Sequence, residues 1–281
     1  LSPDSRYALT GGYENSLKLY DLSTGKILRT MKGHTAYTVA AAFSADNTRI
    51  ASIDADRNIK IWDMKTGEII TEFKNDDFSG PLCFASDSRS VFYAGYGNVY
   101  LYDPESKSIK KEYADQDDYV SELAVSHDGS MLAKCGSERN VVVWDIESGA
   151  QLIKFSGHTK EIQDIVFTKD DRYLITASRD KTVKVWDVKT GREVNSLSGH
   201  TDSVWSVTLS EDGRYILSAG NDKKAILWDF MSGKVMRSFV TPESPLISAY
   251  FADKGKSIVS IGFDSSITYW DIESGQKVRD S

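Results

Sequence analysis

Between residues 199 and 239 the chain alternates four short apolar bursts with polar stretches. The bursts are Val204 to Leu209, Tyr215 to Ala219, Ala225 to Trp228 and Val235 to Phe239. Between and before them lie Gly199-His200-Thr201-Asp202, Glu211-Asp212-Gly213, Gly220-Asn221-Asp222-Lys223 and Met231-Ser232-Gly233-Lys234. Runs this short, about ten residues apart and bounded by Gly, Asn, Asp and Ser, predict four β-strands in an antiparallel meander. Such a sheet has two apolar faces to cover and two edges to protect. Arranging several sheets radially covers the faces and leaves only short edges.

The pattern recurs. A Trp-Asp or Tyr-Asp pair closes each third burst: Tyr20-Asp21, Trp62-Asp63, Tyr102-Asp103, Trp144-Asp145, Trp186-Asp187, Trp228-Asp229 and Trp270-Asp271. The spacings are 42, 40, 42, 42, 42 and 42 residues. One repeat is too short to bury a core by itself, so the repeats must stack. No linker interrupts the period, which predicts one domain over residues 1–281. The chemistry expected of such a chain is that of a surface.

On these pairs and the Gly-His turns the chain resembles the WD-repeat family of β-propellers, in seven in-register copies. The resemblance implies an all-β fold of seven four-stranded antiparallel blades, strands a (innermost) to d (outermost), with the Trp-Asp pair ending strand c. It also implies a structural tetrad joining a His, a strand-b Ser or Thr, an Asp of the b–c turn and the strand-c Trp. Carried over by position, these are His34, Ser52, Asp56 and Trp62 in the second blade, His158, Thr176, Asp180 and Trp186 in the fifth, and His200, Ser218, Asp222 and Trp228 in the sixth. A buried carboxylate and indole N–H each need a partner, and the His links them.

The other blades depart from this pattern. The third has Phe92, Tyr96 and Tyr102, the fourth Lys134 and Glu138 before Trp144, and the first Thr10, Glu14 and Tyr20. The seventh keeps Ser260, Asp264 and Trp270 without the His. These losses read either as drift or as the mark of a functional surface. The first blade lacks strand a, which residues before Leu1 or a strand from elsewhere are expected to supply.

Net charge is −7, with 34 Lys and Arg against 41 Asp and Glu, which argues against nucleic acid as the main ligand. No apolar run reaches the length of a membrane-spanning helix. Cys83 and Cys135 sit in apolar strands and read as buried thiols, favouring a reducing, cytoplasmic compartment. The four histidines do not converge on a metal, and no phosphate loop, nucleophile elbow or haem signature occurs. The expectation is no enzyme and no cofactor. A propeller enzyme or redox accessory protein, and an intramolecular sensor within a larger effector protein, remain alternatives.

In the resembling family the d–a and b–c loops surround a channel mouth where peptides dock. The period places Val39, Gly80, Ser121, Gln163, Trp205 and Ile247 at the channel-lining position of strand a. Trp205 reads as a cation–π platform for an Arg or Lys, or as a plug. The loops add Tyr13, Tyr37, Phe78, Tyr119 and Phe263, interleaved with Asp76, Asp77, Asp117 and Asp118. Aromatics among acids suit a basic peptide. The function expected is a non-catalytic scaffold that binds a protein or peptide on this face, as part of a larger polypeptide or complex.

Overall fold

The computed structural model describes residues 2–4, 6–12, 14–77, 80–115, 119–264 and 266–280. Its strands form seven antiparallel sheets in which spatial order follows chain order. Six sheets have four strands and the first has three, Tyr7–Thr10, Ser16–Asp21 and Ile27–Lys32. The chain is thus all-β, with the seven blades of a β-propeller. It packs as two compact units. One holds Leu1–Lys134 and Trp144–Gln151, the other Cys135–Val143 and Leu152–Ser281. Among the described residues no helix is long and apolar enough to cross a membrane.

In the sixth blade the strands are Val204–Leu209, Tyr215–Gly220, Lys224–Asp229 and Val235–Val240, within a residue of the apolar bursts at each end. Strand c ends on the Asp of the recurring pair in every blade, from Ser16–Asp21 to Ile267–Asp271. That Asp has a task the sequence pattern did not disclose. Its carboxylate accepts the backbone N–H three residues on, from Thr24, Thr66, Ser148, Thr190, Ser232 and Ser274 in six of the blades. This side-chain turn fixes the c–d corner. The Gly that follows, such as Gly67 at φ 77°, takes the left-handed conformation the corner demands.

The aromatic of the pair supplies the core. Trp62, Trp144, Trp186 and Trp228 are almost wholly shielded from solvent. The preceding blade's strand d closes over several of them: Tyr113 lies 6.0 Å from Trp144, Phe155 5.6 Å from Trp186 and Phe239 5.7 Å from Trp270. In the third blade Phe73 stacks on Tyr102 at 3.6 Å and 16°. In these four blades the aromatic is buried against the preceding blade, as stacking repeats require.

Polar stitches run alongside. Val207 N–H donates to Asp164 at 2.8 Å and Ala249 N–H to Ser206 at 3.3 Å, each joining one strand a to the next. On strand d, Arg29 donates to the Thr66 carbonyl at 2.7 Å and Arg237 to that of Glu273 at 2.8 Å. These cap the turns of the following blade. Strand a also carries a regular irregularity. Val39, Gln163, Trp205 and Ile247 are each the extra residue of a β-bulge against strand b.

Replacing Trp186 by Ala is expected to cost about 3–5 kcal/mol, as for other buried aromatics. Trp186→Phe keeps most of the buried surface and removes only the N–H, so about 1–3 kcal/mol is expected. Urea unfolding of both variants beside the parent chain measures the two contributions.

Candidate functional site: the loop ends of the blades

Beneath the loops of three blades runs the same buried relay. In the fifth, the Trp186 indole N–H donates to Thr176 Oγ1 at 3.0 Å. That oxygen lies 2.6 Å from His158 Nε2, and His158 Nδ1 lies 2.7 Å from Asp180 Oδ2. In the sixth, Trp228, Ser218, His200 and Asp222 repeat it at 2.8, 2.8 and 2.9 Å. An indole N–H can only donate, so the hydroxyl passes its own proton to His Nε2, and Nδ1–H then faces the carboxylate. The carboxylates of Asp180 and Asp222 also accept the backbone N–H of Thr159 and Thr201, both at 2.9 Å. Each thereby ties its d–a loop to its b–c turn.

The second blade differs from the carried-over tetrad in one member. Trp62 donates to Ser52 at 2.8 Å and His34 Nε2 meets Ser52 at 2.6 Å, but His34 Nδ1 meets Asp54, at 2.9 Å, and not Asp56. Asp54 ends strand b (Arg49–Asp54) and is fully buried, with further bonds from the Asn58 backbone and side chain. Asp56 stays exposed and accepts from Thr35 Oγ1 at 3.1 Å. Asp54 is the last residue of strand b and Asp56 lies in the turn that follows, so here the carboxylate that meets the His comes from the strand end and not from the turn.

The fourth blade replaces the relay by an ion pair. Lys134 takes the hydroxyl position, is buried, and places Nζ 3.0 Å from both the Gly97 carbonyl and Asp115 Oδ2. Its ammonium lies 6.0 Å from the Trp144 ring. Asp115 stands where the fifth blade has Gly157 of its Gly-His turn. A Lys at a buried position requires such a partner, and that requirement was the available signal. In the seventh blade Trp270 still donates to Ser260, at 2.9 Å, while Asp264 accepts from Ser266.

Burial holds His34 below the ordinary imidazole value, against the pull of Asp54. Burial pushes the carboxyls of Asp54, Asp180 and Asp222 upward. Hydrogen bonds outweigh it, from Asn58 and His34 on Asp54, His158 and Thr182 on Asp180, and His200 on Asp222, so all three lie below the ordinary carboxylate value.

Above the relays, backbone bonds hold the two loop sets side by side. Ala55 N–H donates to Tyr37 O, Arg179 to Glu161 O, Asn221 to Ser203 O and Phe263 to Pro245 O, at 3.0, 3.0, 2.7 and 3.0 Å. In the first unit this leaves Tyr37, Tyr96 and Tyr119 exposed by 47%, 63% and 48%, with Asp76 and Asp77 also at the surface. The Tyr100 hydroxyl donates to Asp77 at 3.2 Å, and Arg57 to the Asp76 carbonyl. Tyr96, the most exposed of these tyrosines, was read only as a lost tetrad acid. In the second unit the Trp205 ring meets Phe263 edge-on at 5.8 Å and 72°. The face read as a platform for a partner's cation already carries one of the chain's own, since the Arg179 guanidinium lies 5.7 Å from the Trp205 ring and pairs with Glu161 at 2.7 Å. Tyr13, Phe78, Asp117 and Asp118 lie outside the described residues. Among the described residues no group of three or more His, Cys, Asp or Glu side chains is placed to hold a metal.

Asp54→Asn is expected to cost about 1–3 kcal/mol and Asp56→Asn within about 0.5 kcal/mol, read by chemical unfolding at neutral pH. A carboxyl whose folded pKa is depressed stabilises the fold above its unfolded value, about 4, and that contribution is lost as pH falls through the folded value. Stability is therefore expected to drop below about pH 4, and less steeply in Asp180→Asn.

The profile of the family described as "WD domain, G-beta repeat" matches residues 25–63, 107–145, 149–187 and 191–229, more than half of the chain. Among curated proteins the chain is similar to Autophagy-related protein 16 of Arabidopsis thaliana, 27% identical over 138 residues, 48% of this chain and 27% of that protein. It is 27% identical to the Small ribosomal subunit protein RACK1y of Oryza sativa subsp. japonica, over 47% of this chain and 41% of that one. It is 30% identical to the Target of rapamycin complex subunit wat1 of Schizosaccharomyces pombe, over 50% and 46%. The match thus spans less than half the length of each of these relatives. The seven blades, the buried Trp–hydroxyl–His–Asp relays and the matched repeats make this chain a member of the WD-repeat family.

Proposed function

We propose that the chain is a non-catalytic scaffold whose seven blades act as one domain, and that it captures a protein or peptide at the loop ends of its blades. The observation that carries this reading is the exposure of Tyr37, Tyr96, Tyr119 and Phe263 there, while the Trp residues of strand c are buried. Exposed aromatics on rigidly held loops are suited to anchor a partner. Two of the relatives are, by name, subunits of larger assemblies, the ribosome and the target of rapamycin complex, which supports a protein partner. Asp76 and Asp77, exposed in the first unit with Asp77 accepting from Tyr100, favour a basic segment there. Cys83 and Cys135 form no disulfide, in keeping with a reducing, cytoplasmic setting.

Affinity capture with the parent chain and with Tyr37→Ala/Tyr119→Ala tests this. Partners held by the first and lost by the second, with the midpoint of thermal unfolding unchanged, are the expected result. Equal capture places recognition elsewhere, and a fall in unfolding temperature marks the tyrosines as structural.

A further inference from the structure

Among the loop ends of the second unit one cleft is locally cationic. It has a volume of about 430 Å³ and is lined by Ser137, Arg139, Lys160, Glu161 and Arg179 with Thr159 and Ser203 at its margins. Three cations face one carboxylate, in a chain whose net charge is −7. The balance is more favourable to an anion than this count suggests. Glu161 is engaged, because its carboxylate receives Arg179 Nη1 at 2.7 Å. Arg139 and Lys160 are exposed, and neither makes a side-chain hydrogen bond or ion pair among the described residues. The Arg139 guanidinium and the Lys160 ammonium are therefore available at the mouth of the cleft.

The walls are held firmly. The Ser178 hydroxyl shares its one proton between the carbonyls of Lys160 and Glu161, at 3.1 and 2.9 Å, and Arg179 N–H donates to Glu161 O at 3.0 Å. Below them His158 and Thr159 are tied to Asp180, so that carboxylate is turned into the relay and its charge is spent there. On the far side of Arg179 stands the Trp205–Phe263 pair. Arg179 is thus oriented by an ion pair with Glu161 and a ring contact with Trp205, on a backbone bonded to Glu161 O. The hydroxyls of Ser137 and Thr159 make no hydrogen bond among the described residues and add donors that suit an oxyanion.

We propose that this cleft is a binding site for an acidic peptide segment, whose carboxylate or phosphate group seats between Arg139 and Lys160 with Arg179 at its back. A volume of this order accommodates one or two side chains of a peptide, within the usual range of ligand clefts. Pairing of a guanidinium and an ammonium with one oxyanion is the charge-assisted geometry that gives such sites their strength. Three cations are too few to follow a nucleic-acid backbone, and the rest of the chain is acidic, so a polynucleotide is not the favoured ligand. The site is independent of the basic-segment reading for the first unit, from which it differs in residues and in sign.

Fluorescence anisotropy with three labelled peptides of one length tests it: a Glu-rich peptide, its phosphoserine counterpart and its Gln counterpart. Both anionic peptides, or one of them, are expected to bind more tightly than the Gln peptide by about tenfold, less so as salt is raised. The stronger of the two names the anion. Arg139→Glu/Lys160→Glu is expected to weaken that binding by about tenfold or more, with the thermal unfolding midpoint unchanged because both side chains are exposed. With a Lys-rich peptide of the same length added, Asp76→Asn/Asp77→Asn serves as the control that leaves acidic-peptide binding intact while weakening the Lys-rich peptide, so failure of one site is distinguished from failure of the other. Binding of the anionic peptides no tighter than the Gln peptide, or equal binding by the parent chain and Arg139→Glu/Lys160→Glu, overturns the proposal.

Discussion

The indole N–H of strand c is the constraint on which the fold turns. A Trp placed in the centre of a sheet must give its one proton to something, and here it gives it to a Ser or Thr hydroxyl of the adjacent strand, at 2.8 to 3.0 Å in four blades. In three of them the hydroxyl passes its proton on to a His and the His to an Asp. One buried group thus commits four side chains and, through the Asp, the backbone of the d–a loop. The same Trp ring is also the surface on which the preceding blade's strand d closes. Local satisfaction of a polar atom and the packing of one repeat on the next are the same event.

Loops held this way can be recognition surfaces without being loose. Fixed backbone bonds join Tyr37 to Ala55, Glu161 to Arg179 and Pro245 to Phe263, so the exposed side chains above them are presented from a rigid base. That lowers the ordering cost of binding. It also explains how loops on the same kind of base can display acids and aromatics in the first unit and a cationic cleft in the second. The relays below are indifferent to what the loop tips display.

Much of this was legible in the sequence because the period is rigid. The strand ends, the seven sheets and the buried Trp residues follow from spacing, whereas the relays of His158 and His200 are implied by the family resemblance and not by the spacing. What the period does not show is anything that breaks it. Asp54, at the end of strand b, meets His34 in place of Asp56 in the turn, a change the period does not register. Strand a gains a residue at each bulge, so the side chains of Val39 and Trp205 are not those of a regular strand. Arg179 meets Trp205 across blades, a contact with no sequence signature. The Lys134 ion pair likewise depends on a partner outside its own repeat strands.

Hydrogen–deuterium exchange with and without a captured partner tests most directly that the loop ends are the working surface. The account predicts new protection in peptides covering residues 35–38, 74–77, 137–139, 159–161 and 179–181, with no change at the c–d turns 64–67, 188–191 and 230–233. Protection confined to those c–d turns, with the loop ends unchanged, would contradict it.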